Sequence, residues 1–480
     1  MNIESLLEKH EESLLTLIRE LLLKHKNASM QTLSDSLHLS RASLENLLNE
    51  IPYLGHRLGA EMMIVRTNHA ISLKTETSFN LDEVINFLIK ESLNYRLLCL
   101  LENNRLTSYQ LADSLFISEA TLFRKIKNLN SLLSEFGLEI KNNQIIGEEL
   151  QIHYFYYLLD SLIEPCESDA SQQKFQENCI TALEAELNVT FSEASQERIF
   201  RWLSVGQRRG KNFVKVTDKK VSMPKKYHHS DYLYRAVHLA LSPFLPLSEI
   251  FLFYRFLLTF YILGEEDFYR FAITRKVTSA GARLNIFVRE RVLSNYNYRR
   301  LAIADEKSIN YQLAQVNNKF IFFKGSLLSK RQALWMADKE SQADKNSQEL
   351  IPRLQEAALT LFPDRTDVTE LIFGYRCILS LLASLSSSLV RVSYDFSDNA
   401  PYQSYLAQFF QHLFKNENIL FVPYSSGKSC DLVICSQHSQ TPLIGTSEYV
   451  LSESLDEDAK QVLALIHQIE KNNAQKKIQR

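Results

Sequence analysis

The sequence at residues 35–44 reads DSLHLSRASL, and residues 113–122 repeat it as DSLFISEATL, 78 positions later. Six of the ten residues are identical, and the changes from Leu39 to Ile117 and from Ser43 to Thr121 are conservative. An internal repeat of this kind indicates two copies of one supersecondary unit. The phrase has the pattern of a turn and a second helix, so we predict two helix-turn-helix modules near the start of the chain.

The second copy shows the helix-turn-helix pattern most clearly. Leu111 and Leu115 fall on one face of a helix, and Ile117 falls in the turn that follows. Ser118 is a favourable N-cap for the next helix, and the negative charge of Glu119 suits the first turn of that helix. In the first copy the equivalent positions hold Leu33, Leu37, Leu39, Ser40, Leu44 and Leu48.

A predicted β-hairpin follows each copy. Residues 63–66 and 70–73 flank a short turn after the first copy, and residues 138–140 and 145–147 do so after the second. Alternating β-branched residues around an asparagine-containing turn are typical of paired antiparallel strands. A helix-turn-helix followed by a hairpin predicts a winged helix in both cases.

In winged helices the second helix of the pair lies in the major groove of duplex DNA, where its outward side chains meet bases and phosphates. Arginine grips guanine through two hydrogen bonds, asparagine does so for adenine, and lysine mostly contacts phosphate. The first module offers Arg41, Ser43 and Asn46, diluted by Glu45 and Glu50, and is expected to be a support or a second reader. We expect the stronger contact from the second module, through Ser118, Glu119, Thr121, Arg124, Lys125, Lys127 and Asn128.

The charge of the N-terminal region leaves an alternative open. Residues 1–165 contain 15 Lys and Arg against 22 Asp and Glu, whereas attraction to phosphate requires a positive surface. Helix-turn-helix geometry also occurs in modules that bind proteins or form dimers. DNA binding therefore depends on a local concentration of cations at Arg124, Lys125 and Lys127, and a purely structural repeat is the alternative.

Composition predicts a predominantly helical, multidomain chain. The 480 residues are 45% hydrophobic, and Gly (12) and Pro (10) are scarce, so turn-forming residues are few. After residue 389 short strands alternate with helices, which indicates a small α/β domain with a largely parallel sheet. We predict winged helix-turn-helix domains at 1–76 and 77–165, helical domains at 166–288 and 289–388, and the α/β domain at 389–480.

The sequence carries no trustworthy signature of a catalytic or metal site, a secretion leader or a membrane span. The six cysteines are widely scattered, as expected for reduced thiols of a cytoplasmic protein. Residues 425–429 end like a phosphate-binding loop, but Val422 stands where that loop requires glycine. Cys430, Cys435 and His438 have loose metal-like spacing without a fourth ligand nearby. We therefore predict no enzyme activity, no cofactor and no metal.

Residues 207–226 form an unusually basic segment, with eight Lys and Arg and a single acid, Asp218. A loop that contacts DNA phosphates is one interpretation. A solvated loop between helices is the other, and it is slightly preferred because loops commonly collect lysine.

The second module resembles the helix-turn-helix signature of the Mga/AtxA family of stand-alone virulence transcriptional regulators. The resemblance runs from Ser118 to Asn130 and on through Phe136, Ile146 and residues 151–155, and it is specific over residues 10–160. It implies that two helix-turn-helix domains bind double-stranded promoter DNA. It also implies two helical domains similar to the regulation domains of the sugar phosphotransferase system, followed by a domain like enzyme IIB of that system, which often mediates homodimer contacts.

The same resemblance implies phosphorylation of histidines by the phosphocarrier protein of that system. His238 is the best positional candidate, with His229 behind it, whereas residues 289–388 contain no histidine. The loop at residues 395–400 lacks the acceptor cysteine of a working enzyme IIB. His153 stands where arginine is common in the family.

These observations predict a cytoplasmic transcriptional regulator, an activator that works as a dimer or larger oligomer. The alternative is a signalling scaffold or phosphotransfer component linked to the phosphotransferase system that never binds DNA. The missing cysteine argues against the phosphotransfer form of that alternative, and the repeated helix-turn-helix argues against the scaffold form.

Overall fold

The computed structural model divides the chain into two compact units. One unit comprises residues 1–283, 314–342 and 359–371, and the other comprises 284–313, 343–358 and 372–480. The residues that the structure describes are 1–23, 28–67, 70–76, 79–103, 106–163, 170–213, 231–272, 280–295, 303–338, 345–365, 367–386, 390–396, 400–414, 419–424, 430–436, 447–452 and 454–478.

The fold is predominantly helical, as predicted, with eight short strands among the described residues. The strands are β1 (Met62–Arg66), β2 (Ile71–Thr75), β3 (Glu139–Lys141), β4 (Gln144–Ile146), β5 (Val390–Asp395), β6 (Ile419–Pro423), β7 (Leu432–Cys435) and β8 (Ser447–Val450). The α-helices are α1 (Lys9–Leu23), α2 (Met30–Leu37), α3 (Arg41–Leu58), α4 (Leu81–Glu91), α5 (Leu93–Asn103), α6 (Ser108–Ser114), α7 (Glu119–Leu133), α8 (Glu149–Leu162), α9 (Ala170–Leu187), α10 (Glu193–Phe213), α11 (Tyr232–Leu241), α12 (Leu247–Leu257), α13 (Glu265–Ala272), α14 (Ala280–Asn295), α15 (Ile303–Phe322), α16 (Lys330–Asp338), α17 (Lys345–Leu361), α18 (Thr369–Ser386), α19 (Ala400–Leu413) and α20 (Leu455–Ile478). Two short 3-10 helices, Ile3–Leu6 and Ser134–Phe136, precede α1 and follow α7.

The first repeat folds as three helices, α1 to α3, and a hairpin. The side chain of Ser40 caps α3 by accepting a hydrogen bond from the backbone N–H of Ser43. The turn between α2 and α3 passes through His38, whose φ of 52° lies in the left-handed region. Strands β1 and β2 pair antiparallel with Ile64 opposite Leu73, so the predicted hairpin is present.

The second repeat has the same order of elements, with α5 to α7 followed by β3 and β4. Its turn passes through Phe116, whose φ of 55° nearly matches that of the corresponding residue in the first repeat. Thr107 and Gln110 form a reciprocal capping box at the start of α6. Ile140 lies opposite Ile145 in the antiparallel hairpin. Each repeat therefore folds as a helix-turn-helix followed by a hairpin.

Aromatic side chains build the core of the helices that follow in the first unit. Trp202 on α10 stacks on Phe256 of α12 with ring centroids 4.4 Å apart. On α8, the ring of Tyr154 lies 4.6 Å from that of Phe323. Nearly all of α8 is buried, so this helix forms a central element of the first unit.

The second unit contains a four-stranded sheet in the order β6-β5-β7-β8, with every neighbouring pair parallel. Val392 of β5 pairs with Phe421 on one side and with Leu432 on the other. Strand β7 is buried along its whole length, as expected for a parallel strand covered on both faces. Phe410 of α19 and Ile466 of α20 contribute to the core beneath the sheet. The predicted parallel α/β arrangement after residue 389 is therefore confirmed.

Three further predictions concern a membrane span, a phosphate-binding loop and the number of domains. Within the part of the chain that the structure describes, no helix combines the length and apolar character needed to cross a membrane. The phosphate-loop-like stretch at 425–429 lies outside the described residues. The division into five domains stays a prediction.

Candidate nucleic-acid interface

Helix α7 is positioned by its cap and by its buried face. The Ser118 Oγ accepts a hydrogen bond from the Thr121 N–H at 3.2 Å, so the predicted N-cap is present. Leu122 and Leu129 are fully buried and pack α7 against the rest of the module. The opposite face of α7 is left to the solvent.

Most of the residues predicted to contact DNA lie on this solvent face. Residues three and four apart on a helix are neighbours, so Arg124, Lys127 and Asn128 form one continuous patch. Thr121 is half-buried, and its hydroxyl is hydrogen-bonded to the Ser118 hydroxyl at an O···O distance of 3.0 Å. The exposed members of the predicted set are Ser118, Glu119, Arg124, Lys127 and Asn128.

The prediction that Lys125 faces outward is wrong. Its side chain is buried, with the residue 9% exposed, and its ammonium group pairs with the Glu8 carboxylate just before α1. One residue turns a helix by about 100°, which carries Lys125 from the patch of Arg124 to the flank where the N-terminal segment packs. The repeat contained a signal for this, because the position 78 residues earlier is Leu47, a core residue of α3.

The hairpin of the second module is held to α7 by an asparagine that sequence reasoning did not single out. The Asn130 amide donates to the Ile140 carbonyl at 3.1 Å and accepts from the Ile140 N–H at 2.6 Å. At the hairpin turn, Asn143 donates to the Leu106 carbonyl and to the Ser108 hydroxyl. A polar residue on the inner side of an otherwise apolar helix stripe is the signal that would have identified Asn130.

A cleft of about 730 Å³ separates α7 from this hairpin. Its apolar lining comes from Phe123 and Ile126 of α7, together with Leu106 and Ile140. The other walls are largely polar and include Thr107, Ser108, Asn142 and Gln144.

The first module exposes its predicted contact residues, and the arginine on its hairpin is paired within the module. Arg41, Ser43 and Asn46 on α3 are all exposed. Arg66 on the hairpin pairs with Glu45 of α3 at 2.8 Å, so its charge is balanced within the module. On its second helix, the second module exposes Arg124 and Lys127, whereas in the first module Arg41 is followed by Glu45 and Glu50.

The comparisons with known proteins agree with this geometry. Residues 77–159 match the Mga helix-turn-helix domain. This chain carries a Mga domain. The match supports membership of the Mga family, and the domain indicates a DNA-binding transcriptional regulator. No curated protein matches the chain.

The Mga domain is ion-paired to α10. Arg208 binds Glu102 of α5 at 2.9 Å and also pairs with Asp160 of α8, and Arg209 binds Glu149 of α8 at 2.5 Å. Burial raises the pKa of Glu102 to about 7, and the charge of Arg208 opposes this rise. These contacts connect α5 and α8 to α10, which follows α9 in the chain.

The interpretation of residues 207–226 as a loop is wrong at its start. Arg208 and Arg209 lie on α10, and their guanidinium groups face carboxylates of the Mga domain rather than solvent. The lysines from residue 215 onward lie outside the described residues, so their role stays a prediction.

His153, the departure from the family pattern, is fully buried and has no access to DNA. Its ring stacks on Trp202 at 4.2 Å, and its Nε2 donates to the Trp202 carbonyl at 2.8 Å. Nε2 therefore carries the proton, and Nδ1 is a bare acceptor that lies 3.8 Å from the Glu249 Oε2. Among the described residues, neither His153 Nδ1 nor Glu249 Oε1 has a hydrogen-bond partner.

Both groups of this pair are held neutral by their surroundings. Burial lowers the pKa of His153 to about 3, although the hydrogen bond to the Trp202 carbonyl opposes this. Burial, together with the nearby charge of Glu149, raises the pKa of Glu249 to about 8, and the charge of Arg209 opposes this rise. The pair lies where α8 of the Mga domain meets α10 and α12.

Of the two histidines predicted to be phosphorylated, only His238 lies among the described residues. His238 lies on α11 and is half-buried, with its ring centroid 6.2 Å from that of Tyr234. His229 lies outside the described residues.

Proposed function

We propose that this protein binds double-stranded promoter DNA through α7 and activates transcription. The observation that carries the proposal is the exposed patch of Arg124, Lys127 and Asn128 on the second helix of the Mga helix-turn-helix. In helix-turn-helix proteins this helix enters the major groove. The long buried stripe of α7 keeps the helix rigid, so the patch is presented without rearrangement.

Each residue of the patch has a role that follows from its chemistry. Arg124 is suited to two hydrogen bonds with the O6 and N7 of guanine, and Asn128 to the N6 and N7 of adenine. Lys127 neutralises phosphate. Thr121 and Glu119, at the N-terminal end of α7, lie where such helices approach base edges, and Ser118 orients that end by capping it.

The first module makes the second, weaker contact, through Arg41, Ser43 and Asn46. Its support is the exposure of these residues at the start of α3. Because Arg66 is already balanced by Glu45, this module adds little net positive charge to the interface.

Regulation is assigned to the parts of the chain beyond the Mga domain. His238 accepts phosphate from the phosphocarrier protein of the sugar phosphotransferase system, and residues 389–480 form the homodimer contact. The support is the family resemblance, together with the parallel α/β sheet of the second unit. Phosphorylation adds negative charge and hydrogen-bond acceptors at a half-buried helix face, which shifts the balance of oligomers. A His238→Ala protein that takes up as much phosphate as the wild type contradicts this assignment.

DNA binding is tested by gel shift with duplexes that the protein itself selects from a random-sequence library. The double variant Arg124→Ala/Lys127→Ala is expected to lose about 1–3 kcal/mol of binding free energy from the arginine contact alone. Its matched control is Lys174→Ala/Arg235→Ala, which removes the same two residue types from exposed positions on α9 and α11.

The expected result is a loss of affinity confined to the first variant. Equal affinity for both variants excludes α7 as the reading helix. A wild-type protein that enriches no duplex at all favours the alternative, a signalling scaffold that never binds DNA.

A further inference from the structure

Phe123 is an apolar side chain in the middle of a polar surface. It lies on α7 next to Arg124 and remains 55% exposed. Ala120 and Lys127 are its neighbours at three and four residues along the helix, so it shares a row with the patch proposed to read DNA. Single exposed apolar side chains are common on protein surfaces, so the position of Phe123, rather than its exposure alone, indicates a role.

The first module holds a different residue at this position, and that residue shows where the position points. The equivalent of Phe123, 78 residues earlier, is Glu45, whose carboxylate reaches Arg66 on the hairpin of its own module at 2.8 Å. The side chain at this position of the second helix therefore points toward the hairpin. In the second module the same place is the apolar wall of the cleft of about 730 Å³.

We infer that Phe123 is a specificity-determining residue that packs against the 5-methyl group of a thymine in the major groove. This inference rests on the proposed function, because it requires α7 to lie in that groove. Thymine is the one standard base that presents a methyl group there, and phenylalanine is among the side chains that read it by apolar contact. The neighbouring walls of the cleft, with Thr107, Ser108, Asn142 and Gln144, offer hydrogen bonds suited to the sugar-phosphate strand beside that base.

The inference is tested with the duplex that the wild-type protein selects from a random library. Each thymine of that duplex is replaced in turn by deoxyuridine, which lacks only the methyl group. Wild-type protein is expected to lose about fourfold in affinity at one thymine, which corresponds to the roughly 0.8 kcal/mol that burial of one methyl-sized group contributes. Phe123→Ala is expected to bind the thymine and deoxyuridine duplexes with equal affinity at that position.

Two further variants separate this contact from a general loss of binding. Phe123→Leu keeps an apolar side chain and is expected to retain part of the discrimination. Tyr109→Ala removes an exposed aromatic residue of α6 and is expected to keep the full wild-type discrimination.

Three results overturn the inference. They are a wild-type protein indifferent to every replacement, a Phe123→Ala protein that discriminates as the wild type does, and a Tyr109→Ala protein that loses discrimination equally. Failure of the wild type to select any duplex is a different outcome, because it removes the proposed function itself.

Discussion

At the scale of single residues, Lys125 differs from its neighbours on α7 because its charge is used inside the protein. Its neighbours Arg124 and Lys127 are exposed, yet its own ammonium group is buried against Glu8. A cation so placed stabilises the contact between the N-terminal segment and α7. It makes no direct contribution to phosphate binding.

Lys125→Met is therefore expected to lower the free energy of unfolding by about 1–3 kcal/mol, because it leaves the Glu8 carboxylate partly buried without its cation. Glu8→Leu/Lys125→Met removes both charges and is expected to recover most of the loss. Thermal melting of the wild type and of the single and double variants gives the coupling energy. Additive losses in the double variant contradict a direct pairing.

The buried His153–Glu249 pair predicts a pH dependence of stability. The folded-state pKa of Glu249, about 8, lies above its ordinary value of 4.5, so the folded state holds an extra proton and loses stability as pH rises through that interval. The pKa of His153 is lowered from 6.5 to about 3, so below pH 6.5 the unfolded state holds the extra proton. This group therefore makes stability rise with pH, but only below pH 6.5. The net loss therefore falls between about pH 6.5 and 8 and amounts to at most about 1.4 kcal/mol per pH unit for this group.

Glu249→Gln keeps the shape of the side chain and cannot titrate, so its melting temperature is expected to fall less than that of the wild type between pH 6.5 and 8.5. Glu102 contributes a change in the same direction through its raised pKa of about 7, so some pH dependence persists in the variant. Glu186→Gln, at an exposed position on α9, is the matched control and is expected to keep the wild-type profile. Identical profiles for Glu249→Gln and the wild type contradict the assignment.

At the scale of elements, the start of α7 depends on one hydroxyl. Ser118→Ala removes the cap and is expected to cost about 1 kcal/mol of stability. The same substitution at Ser131, an exposed residue later on α7, is expected to be neutral or slightly stabilising, because alanine favours helix. Denaturant unfolding compares the two variants. Equal unfolding midpoints for the Ser118→Ala and Ser131→Ala proteins show that the cap makes no measurable contribution to stability.

The elements themselves were largely predictable, because their signals are local. Ser118 and the leucines after it define α7 within a few residues, and alternating β-branched residues define the hairpins. The strands after residue 389 were predictable for the same reason, since each is a short apolar run. The tertiary partners were not predictable, because Lys125 meets Glu8 and Arg208 meets Glu102 across more than a hundred residues of sequence.

At the scale of the whole molecule, the acidic N-terminal region and its proposed affinity for DNA are compatible. Several acids of this region are already paired with cations inside the first unit, among them Glu8, Glu102 and Glu149. Because these acids are paired, the exposed cations of α7 have fewer unpaired acids around them than the net charge of the region suggests. Sequence counting missed this because it treats every charge as equally exposed.

The Mga domain is also bound to the rest of the first unit through charge pairs and buried aromatic rings. Arg208 and Arg209 bring α10 onto α5 and α8, and Trp202 stacks on the His153 ring. A change in the helices beyond residue 170 therefore has a physical route to the Mga domain. The sequence alone gave no sign of this route, since basic residues at 207–226 are equally consistent with an exposed loop.

Site-specific photocrosslinking tests whether α7 lies against the bases when the protein binds DNA. A photoreactive p-benzoylphenylalanine replaces the exposed Glu119, in the first turn of α7, so that no cation is lost. A second protein carries the same group in place of Lys174 on α9. The expected result is crosslinking from position 119 to specific bases of the selected duplex, with none from position 174. A protein that binds the duplex yet crosslinks from position 174 and not from position 119 contradicts it.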